Sequence, residues 1–415
     1  MPVQHPRRHF RPLFGRRSTS ASQDLSAPAP DRAAPVRRSA PSHPSLMRLA
    51  ASLVERCEAG QPADEVLREG LRKQPGVTRA DARIVSHAVF ACFRWHGWVQ
   101  EEASVEVRLE RALEFATNFA AQSAAISDTE LAEFTGPAWV REHVRIPLAT
   151  LRAWQAEPVL WLRARRGQAA ELAQKLERAE PGQVPDTVRY AGEADLFRHP
   201  LFQAGELQIQ DVASQAVGLV CAPRPGHTWW DACAGQGGKL LHLSELMKNQ
   251  GLIWASDRAE WRLKQLKQRA ARAKCFNYRA ATWDGGPHLP TRTLFDGVLV
   301  DAPCAGLGTW GRNPHARWTV TPADVRELAA VQVKLLTHCA ASVKPGGRLI
   351  YAVCTLTREE TTGVCDAFAA AHPAFMPSAE ANPFSPNQAP LPRQLWWPHE
   401  TGGNGMFVAA WQRTA

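Results

Sequence analysis

Two short apolar runs, Val298–Val300 and Leu349–Val353, constrain the fold of this chain most strongly. Their composition is typical of strands that are buried on both faces of a parallel sheet. Asp301 and Cys304 come directly after the first run, and Cys354 follows the second. Ligands of open α/β sheets bind beyond the carboxyl ends of the strands. The sequence therefore predicts that one acid and two thiols lie at a functional edge.

From residue 202 onward, strand patterns alternate with helical patterns. The predicted helices are Lys239–Lys248, Glu260–Ala273, Pro322–Val343 and Glu359–Ala371. The predicted strands are Thr228–Asp231, Leu252–Asp257, Gly297–Asp301, Arg348–Val353 and Met406–Trp411. This alternation predicts an α/β fold with a doubly wound, mainly parallel sheet. The last strand follows a glycine-rich turn and is expected to close the sheet as its edge strand.

Charge and periodicity divide the chain into four ranges. Residues 1–45 carry eight arginines against two aspartates, a net +6 of the chain's +9. The high overall charge is therefore weak evidence that the folded part binds nucleic acid. We expect 1–45 to be a disordered tail, with a transit peptide or a start at Met47 as alternatives. We predict a helical domain over 46–136, a small α+β module over 137–200 and the main domain over 201–415.

Cysteine usage and hydropathy narrow the class of protein. The nine cysteines are an odd number, show no disulfide framework and include no CxxC pair. This pattern is typical of reduced thiols in a cytoplasmic protein, and no structural metal site is expected. No apolar run reaches the length of about 18–20 residues that spans a bilayer. We therefore expect a monomer without a membrane partner.

A glycine-rich loop follows the predicted strand that ends at Asp231. Gly235, Gly237 and Gly238 let the backbone turn tightly and approach a ligand closely. Their spacing matches neither a dinucleotide fingerprint nor a phosphate-binding P-loop. The next strand ends at Asp257, where an acid commonly accepts hydrogen bonds from ribose hydroxyls. Together these features predict an adenosine-containing cofactor without a pyrophosphate, and S-adenosyl-L-methionine fits that description.

The predicted cofactor site has ten members, of which three carry an alternative interpretation. Asp284 is placed to accept from an adenine amino group, or caps a turn. Lys239 binds the cofactor carboxylate or extends to solvent at the start of a helix, and Cys233 is as well explained by packing. The ten residues are Cys233, Ala234, Gly235, Gln236, Gly237, Gly238, Lys239, Asp257, Asp284 and Asp301.

Five motifs in order along the chain resemble the RNA cytosine-5 methyltransferases of the bacterial Sun/RsmB and eukaryotic NOP/NSUN type. The resemblance is strong over residues 202–412 and looser over 137–200. Three motifs depart from the usual pattern: Ala234-Gly235-Gln236 stands for Ala-Ala-Pro, Ala305 for Ser and Val353 for Thr. The motifs are QDVASQ at 210–215, DACAGQGGK at 231–239, DAPCAG at 301–306, AVCT at 352–355 and GMFVAA at 405–410.

The resemblance implies a class I S-adenosylmethionine-dependent fold, a NusB-like helical domain and methylation of cytosine carbon 5 in RNA, with ribosomal RNA as the expected substrate. Carbon 5 is a weak nucleophile until a thiolate adds to carbon 6 and makes the ring an enamine. The resemblance gives that attack to Cys354, release of the product to Cys304 and stabilisation of the adduct to Asp301. The target base must be unstacked, which favours single-stranded or loop cytosines.

Other interpretations stay open from the sequence alone. A free cysteine is often a small buried hydrophobe, and a chain of this pattern could be a silent RNA-binding assembly factor or a methyltransferase for small molecules or proteins. Two basic clusters are candidate phosphate contacts or solvated surfaces. Their members are Arg163, Arg165, Arg166, Arg312, His315 and Arg317.

Overall fold

The centre of the computed structural model, which describes residues 43–102 and 104–414, is an eight-stranded sheet. The first four strands of the chain form a separate antiparallel sheet in the order β2-β3-β1-β4. Most of residues 1–45, the predicted tail, lie outside the described ranges. The strands are β1 (Leu160–Ala164), β2 (Ala179–Pro181), β3 (Thr187–Tyr190), β4 (Leu207–Ile209), β5 (Thr228–Asp231), β6 (Leu252–Asp257), β7 (Tyr278–Thr282), β8 (Phe295–Asp301), β9 (Val343–Val353), β10 (Phe375–Pro377), β11 (Arg393–Trp396) and β12 (Met406–Arg413).

The order of the large sheet is β10-β12-β9-β8-β5-β6-β7, and β11 also pairs with β12. The five strands from β9 to β7 are parallel, whereas β10, β11 and β12 add antiparallel pairs. The predicted doubly wound, mainly parallel sheet is confirmed. The prediction that Met406–Trp411 is the edge strand is wrong, because β10 pairs outside it. The segment that forms β10 has only three residues and gives no alternating pattern.

Helices cover both faces of this sheet. The helices α11, α12 and α13 pack on one face, and α15 and α16 pack on the other. The helices are α1 (His43–Glu58), α2 (Ala63–Arg72), α3 (Arg79–Arg94), α4 (His96–Val99), α5 (Val105–Ala121), α6 (Asp128–Phe134), α7 (Val140–His143), α8 (Leu148–Gln155), α9 (Ala169–Lys175), α10 (Pro200–Gln203), α11 (Val212–Cys221), α12 (Gly238–Leu246), α13 (Glu260–Arg272), α14 (Ala316–Thr319), α15 (Pro322–Ala340), α16 (Thr362–Ala371) and α17 (Pro398–Thr401).

Helices α1 to α8 precede the first strand and form their own apolar cores. One of these cores also includes Leu307 and Trp310, which come from the loop after β8. The division at 46–136, 137–200 and 201–415 stays a prediction. Within the described residues, no helix combines the length and the apolar character that crossing a membrane requires.

Two adjacent tryptophans in β5 take the positions where aliphatic residues are usual. Trp229 packs with the core on one face of the sheet, and Trp230 packs with the core on the other. The Trp230 indole N–H donates to Ser256 Oγ at 2.9 Å. Trp229 faces Gly297 on β8, where an added Cβ would lie 2.3 Å from the indole ring. The missing side chain at Gly297 therefore makes the room that Trp229 occupies.

We expect Gly297→Ala to destabilise the protein by about 1–3 kcal/mol, because overpacking a closed core forces its neighbours out of place. The measurement is the free energy of unfolding in urea. In a Trp229→Leu background the same substitution should cost clearly less, since the clashing ring is gone. An equal loss of stability in the two backgrounds would show that the Trp229 ring is not what excludes a larger side chain at position 297.

Candidate functional site

The two strands that carry the candidate catalytic residues lie side by side. β8 and β9 pair in parallel, with Asp301 opposite Ala352. The loops that follow both strands therefore begin at the same edge of the sheet. The sulfur atoms of Cys304 and Cys354 lie 3.4 Å apart, and both thiols are half-buried. The structure thus brings together two thiols that are fifty residues apart in the sequence.

The two thiols differ in how readily they ionise. The hydrogen bond from Cys304 lowers the pKa of Cys354, and this effect outweighs burial and the negative charge of Asp301, which raise it. The positive charges of Lys239 and Arg312 lower it further. The same hydrogen bond and burial raise the pKa of Cys304 well above its usual value. The pair therefore favours ionisation of Cys354 over ionisation of Cys304.

Lys239 connects the glycine loop to the thiol pair. Its Nζ donates to Asp301 Oδ2 at 2.7 Å, and the lysine side chain is only 9% exposed. Although burial opposes the charged form, the carboxylate of Asp301 outweighs it and raises the pKa of Lys239. Lys239 therefore does not extend to solvent. No described residue binds Oδ1 of Asp301, so that oxygen can meet a ligand.

A buried carboxylate, Glu360, connects the two loops that carry the thiols, and sequence reasoning missed it. The Glu360 side chain is fully buried and accepts from the Ala305 backbone N–H at 2.8 Å. It also accepts from the hydroxyls of Thr355 and Thr357 at 2.9 and 3.1 Å. Ala305 follows Cys304, and Thr355 follows Cys354. Glu360 therefore fixes the position of one loop relative to the other.

Two more residues complete this network. Gln332 of α15 donates to Glu360 at 3.0 Å and to the Pro303 carbonyl at 2.9 Å. The Tyr351 hydroxyl lies 2.8 Å from Gln332 Oε1 and 2.7 Å from the Glu360 carbonyl oxygen, and its one proton serves both acceptors. Burial raises the pKa of Glu360, while the hydrogen bonds from Ala305, Thr355, Gln332 and Thr357 oppose that rise. A carboxylate that is buried in this way is stable only because several donors satisfy it.

Nine of the ten residues predicted to bind the cofactor line one cleft of about 440 Å³, a volume within the range of small-molecule sites. Gly237 is the exception. It precedes α12 with φ of +84°, and an added Cβ would lie 2.7 Å from Leu266. Glycine is thus required at this position by the positive φ of the backbone and by the close packing against Leu266. The nine are Cys233, Ala234, Gly235, Gln236, Gly238, Lys239, Asp257, Asp284 and Asp301.

Asp257 and the glycine loop form the polar wall of the cleft. The Asp257 carboxylate accepts from the backbone N–H groups of Gly235 and Ala259 at 3.0 and 2.8 Å. Gly235 has φ of +52°, and an added Cβ would meet nothing within 4 Å, so the cleft is open above this turn. The Asp284 carboxylate accepts from the Gly286 N–H at 2.8 Å and also lines the cleft. Asp284 therefore caps a turn and also lines the cleft, and its contact with an adenine amino group stays a prediction.

The apolar wall of the cleft was missed from the sequence. Trp283, Val331 and Leu335 line it opposite the carboxylates. Carboxylates that can accept from hydroxyl and amino groups, next to an apolar wall that can hold a ring, fit an adenosine moiety. Val331 and Leu335 belong to α15, far from the glycine loop in the sequence. Only the packing of α15 against the sheet could reveal them.

The structure contradicts the predicted role of two residues in the second basic cluster. Arg317 is fully buried, and its guanidinium donates to the Thr135 carbonyl at 2.7 Å and to Gln155 Oε1 at 2.8 Å. Burial lowers the pKa of Arg317 to about 9. His315 is 6% exposed and packs on Phe93. Neither side chain can reach RNA, so both predictions are wrong, because helices distant in the sequence cover them.

The first basic cluster is also partly internal. Arg163 is 2% exposed and binds Glu245 and Gln210 Oε1, which excludes both a phosphate contact and a solvated surface. Arg165 donates to the Ala273 carbonyl at 3.0 Å. Arg166 and Arg312 are exposed and stay candidates for contacts with RNA.

Comparisons with known proteins identify the family of the chain. Residues 218–412 match the family described as 16S rRNA methyltransferase RsmB/F. The chain is 32% identical to ribosomal RNA small subunit methyltransferase B of Cronobacter sakazakii, over 68% of this chain and 69% of that protein. The chain belongs to the RsmB/F family. Membership of this methyltransferase family confirms the predicted cofactor, S-adenosyl-L-methionine.

One further relative and one solved structure are also similar to the chain. The probable ribosomal RNA small subunit methyltransferase B of Bacillus subtilis is 36% identical over 51% of this chain. This match covers 49% of that protein, so the chain spans about half the length of this relative. The crystal structure of PH0851 has the same fold, with a TM-score of 0.74 and 23% identity over 90% of this chain and 99% of that one.

We expect iodoacetamide to alkylate Cys354 at lower pH than Cys304, because the thiolate is the reactive form and the Cys304 S–H stabilises it. Cys304→Ala removes that donor and should raise the pH midpoint for alkylation of Cys354. Cys304→Ser keeps a donor and should shift the midpoint less. Mass spectrometry of the labelled peptides measures each thiol separately. Preferential labelling of Cys304 in the unsubstituted protein would contradict this assignment.

We expect Glu360→Gln to lower the free energy of unfolding by about 1–3 kcal/mol, because an amide nitrogen replaces an acceptor oxygen among buried donors. The exposed Glu327 on α15 is a matched control, and Glu327→Gln should change stability by less than about 0.5 kcal/mol. Urea unfolding measures both variants. Similar stability for the two would mean that the buried carboxylate is replaceable.

Proposed function

We propose that this protein transfers a methyl group from S-adenosyl-L-methionine to carbon 5 of a cytosine in ribosomal RNA through a covalent adduct with Cys354. The observation that carries the proposal is the thiol pair, in which a hydrogen bond at 3.4 Å favours the thiolate of Cys354. Family membership supports RNA of the small ribosomal subunit as the substrate. The proposed enzyme is a cytoplasmic monomer.

In the proposed reaction, the Cys354 sulfur adds to carbon 6 of the cytosine. The pair of electrons that leaves the 5,6 double bond makes carbon 5 nucleophilic. Bound S-adenosyl-L-methionine supplies an electrophilic methyl group for carbon 5 to attack. Solvent at the half-buried site then accepts the proton from carbon 5, and the electrons of that C–H bond restore the 5,6 double bond and expel the Cys354 sulfur as a thiolate. This sequence consumes no oxidant or reductant.

Asp301 and Lys239 would support the adduct from the cofactor side. Asp301 has one oxygen bound to Lys239 and the other without a partner among the described residues. We assign that free oxygen to the edge of the base near ring nitrogen 3. Lys239 orients the carboxylate and keeps a positive charge near the Cys354 sulfur. The lysine would therefore favour the thiolate both before attack and after release.

Cys304 would act mainly when the product leaves. Its raised pKa keeps the thiol protonated, and its S–H donates to the Cys354 sulfur. A hydrogen bond to the departing thiolate lowers the barrier to breaking the bond between Cys354 and carbon 6. Because both thiols are only half-buried, a base that is splayed out of a single strand or a loop can reach them.

The test is transfer of labelled methyl to a 16S rRNA transcript that lacks the modification. We expect Cys354→Ala to abolish transfer, whereas Cys304→Ala should lose turnover and accumulate a protein–RNA adduct that survives denaturing electrophoresis. Cys57→Ala, in the helical region, should retain transfer. An adduct in Cys354→Ala but not in Cys304→Ala would reverse the two roles. RNA binding without any methyl transfer would favour a silent assembly factor.

A further inference from the structure

The positive charge of the folded chain is concentrated in one segment, residues 260–279. This segment carries seven lysines and arginines against Glu260 alone, a net charge of +6. The first 45 residues carry another +6, and the chain total is +9. The other 350 residues therefore have a net charge of −3. A single basic segment on an otherwise acidic protein is the electrostatic footprint of a nucleic-acid contact.

Two of these cations face a groove between α13 and the edge strand β7. Lys267 of α13 and Arg279 of β7 line this groove, which has a volume of about 680 Å³. Both side chains are exposed, and neither forms an ion pair with any described carboxylate. Their charge is therefore not neutralised within the protein and can be used by an anionic partner.

The same groove is lined by aromatic side chains. Phe276 is 75% exposed, the largest exposure of any large apolar side chain in the described part of the chain. Trp254 and Tyr278 also line the groove, and the Arg279 guanidinium lies 6.0 Å from the Trp254 ring centre. Burying this much aromatic surface elsewhere would stabilise the fold, so its exposure here needs a reason.

The turn that presents Phe276 is held rigidly. The Phe276 backbone N–H donates to Asn249 Oδ1 at 2.9 Å, and Asn249 Nδ2 donates to the Lys274 carbonyl at 2.8 Å. Lys274 and Asn249 have φ of +56° and +59°, the left-handed conformation that side chains disfavour. These hydrogen bonds order the backbone of a turn whose aromatic ring lies in solvent. A backbone that is already ordered loses little entropy when a base stacks on the ring.

We propose that the α13–β7 groove is a second RNA-binding surface, outside the catalytic cleft, that holds an unpaired segment of the substrate. Lys267 and Arg279 would contact phosphates, and Phe276 would stack on a base. Exposed rings next to unpaired cations are the usual elements of single-strand recognition. This inference rests on the proposed function, because it takes RNA as the substrate.

The position of the groove suits a contact that adds affinity without entering the chemistry. Trp254 lies in the groove, and Asp257, at the end of the same strand β6, lies in the cofactor cleft. Three residues of extended chain separate them, or about 10 Å. Cys304 follows β8 and Cys354 follows β9, which lie two and three strands along the sheet from β6. RNA in the groove would therefore touch neither the cofactor nor the thiols.

The test compares Lys267→Gln/Arg279→Gln with a control of equal charge, Arg224→Gln/Arg292→Gln. The two control arginines are exposed and precede β5 and β8, at the opposite end of the strands from the catalytic edge. Fluorescence anisotropy measures binding to a labelled single-stranded RNA of mixed sequence over a range of salt concentrations. Removing two phosphate contacts should reduce the slope of log affinity against log salt by about 1.4. The control should leave the slope unchanged.

Phe276→Ser tests the stacking contact separately. We expect about a tenfold loss of affinity for single-stranded RNA, with the salt slope unchanged and duplex RNA little affected. In the methyl-transfer assay, all groove variants should raise the KM for RNA and keep kcat. Unfolding midpoints equal to that of the unsubstituted protein would confirm that these surface changes leave the fold intact.

Failure of this inference can be told apart from failure of the proposed function. Groove variants that bind and methylate RNA as the unsubstituted protein does would overturn the second surface and leave the enzyme intact. If the groove variants lose RNA binding while no form of the protein methylates RNA, the result supports the second RNA-binding surface and contradicts the proposed methyl transfer. A loss that is equal for single-stranded and duplex RNA, with no effect of Phe276→Ser, would mean charge attraction alone and would overturn the stacking surface.

Discussion

The pairing of β8 with β9 is the constraint on which the site depends. Their parallel register places Asp301 opposite Ala352, and the loops beyond the two strands then deliver Cys304 and Cys354 to within 3.4 Å. Closing a loop of fifty residues to hold two sulfur atoms together would cost conformational entropy in an unfolded chain. Formation of the sheet offsets this entropy loss, because hydrogen bonds and buried apolar residues along both strands stabilise the register.

The electrostatics of the site follow from burial. A charge that is taken out of water is stable only with a partner, and the pairs found here join one part of the site to the next. Lys239 belongs to the cofactor loop but binds Asp301, which precedes the thiol loop. Glu360 is satisfied by donors from both thiol loops. The cofactor cleft and the thiol pair are therefore mechanically and electrostatically one unit.

The sequence was a good guide to the sheet and a poor guide to individual arginines. Apolar runs predicted β5, β6, β8 and β9 because buried strands have a strong local pattern. Arg163 and Arg317 were expected at the surface, yet both are buried against elements distant in the sequence. The residues next to an arginine show the same local pattern whether solvent or another part of the fold surrounds its side chain. Arg163 is buried by its contacts with Glu245 of α12 and Gln210, and Arg317 is buried by its contacts with the helical region.

The sequence by itself determined the alternation of strands and helices, the glycine loop and the two thiols at strand ends, because each is a local pattern of residue types. The tertiary structure alone decided which side chains meet. It placed Gly297 under Trp229, closed the Glu360 network and left Phe276 exposed beside unpaired cations. The physical reason is that burial and charge pairing depend on contacts between residues far apart in the chain, which no local pattern records.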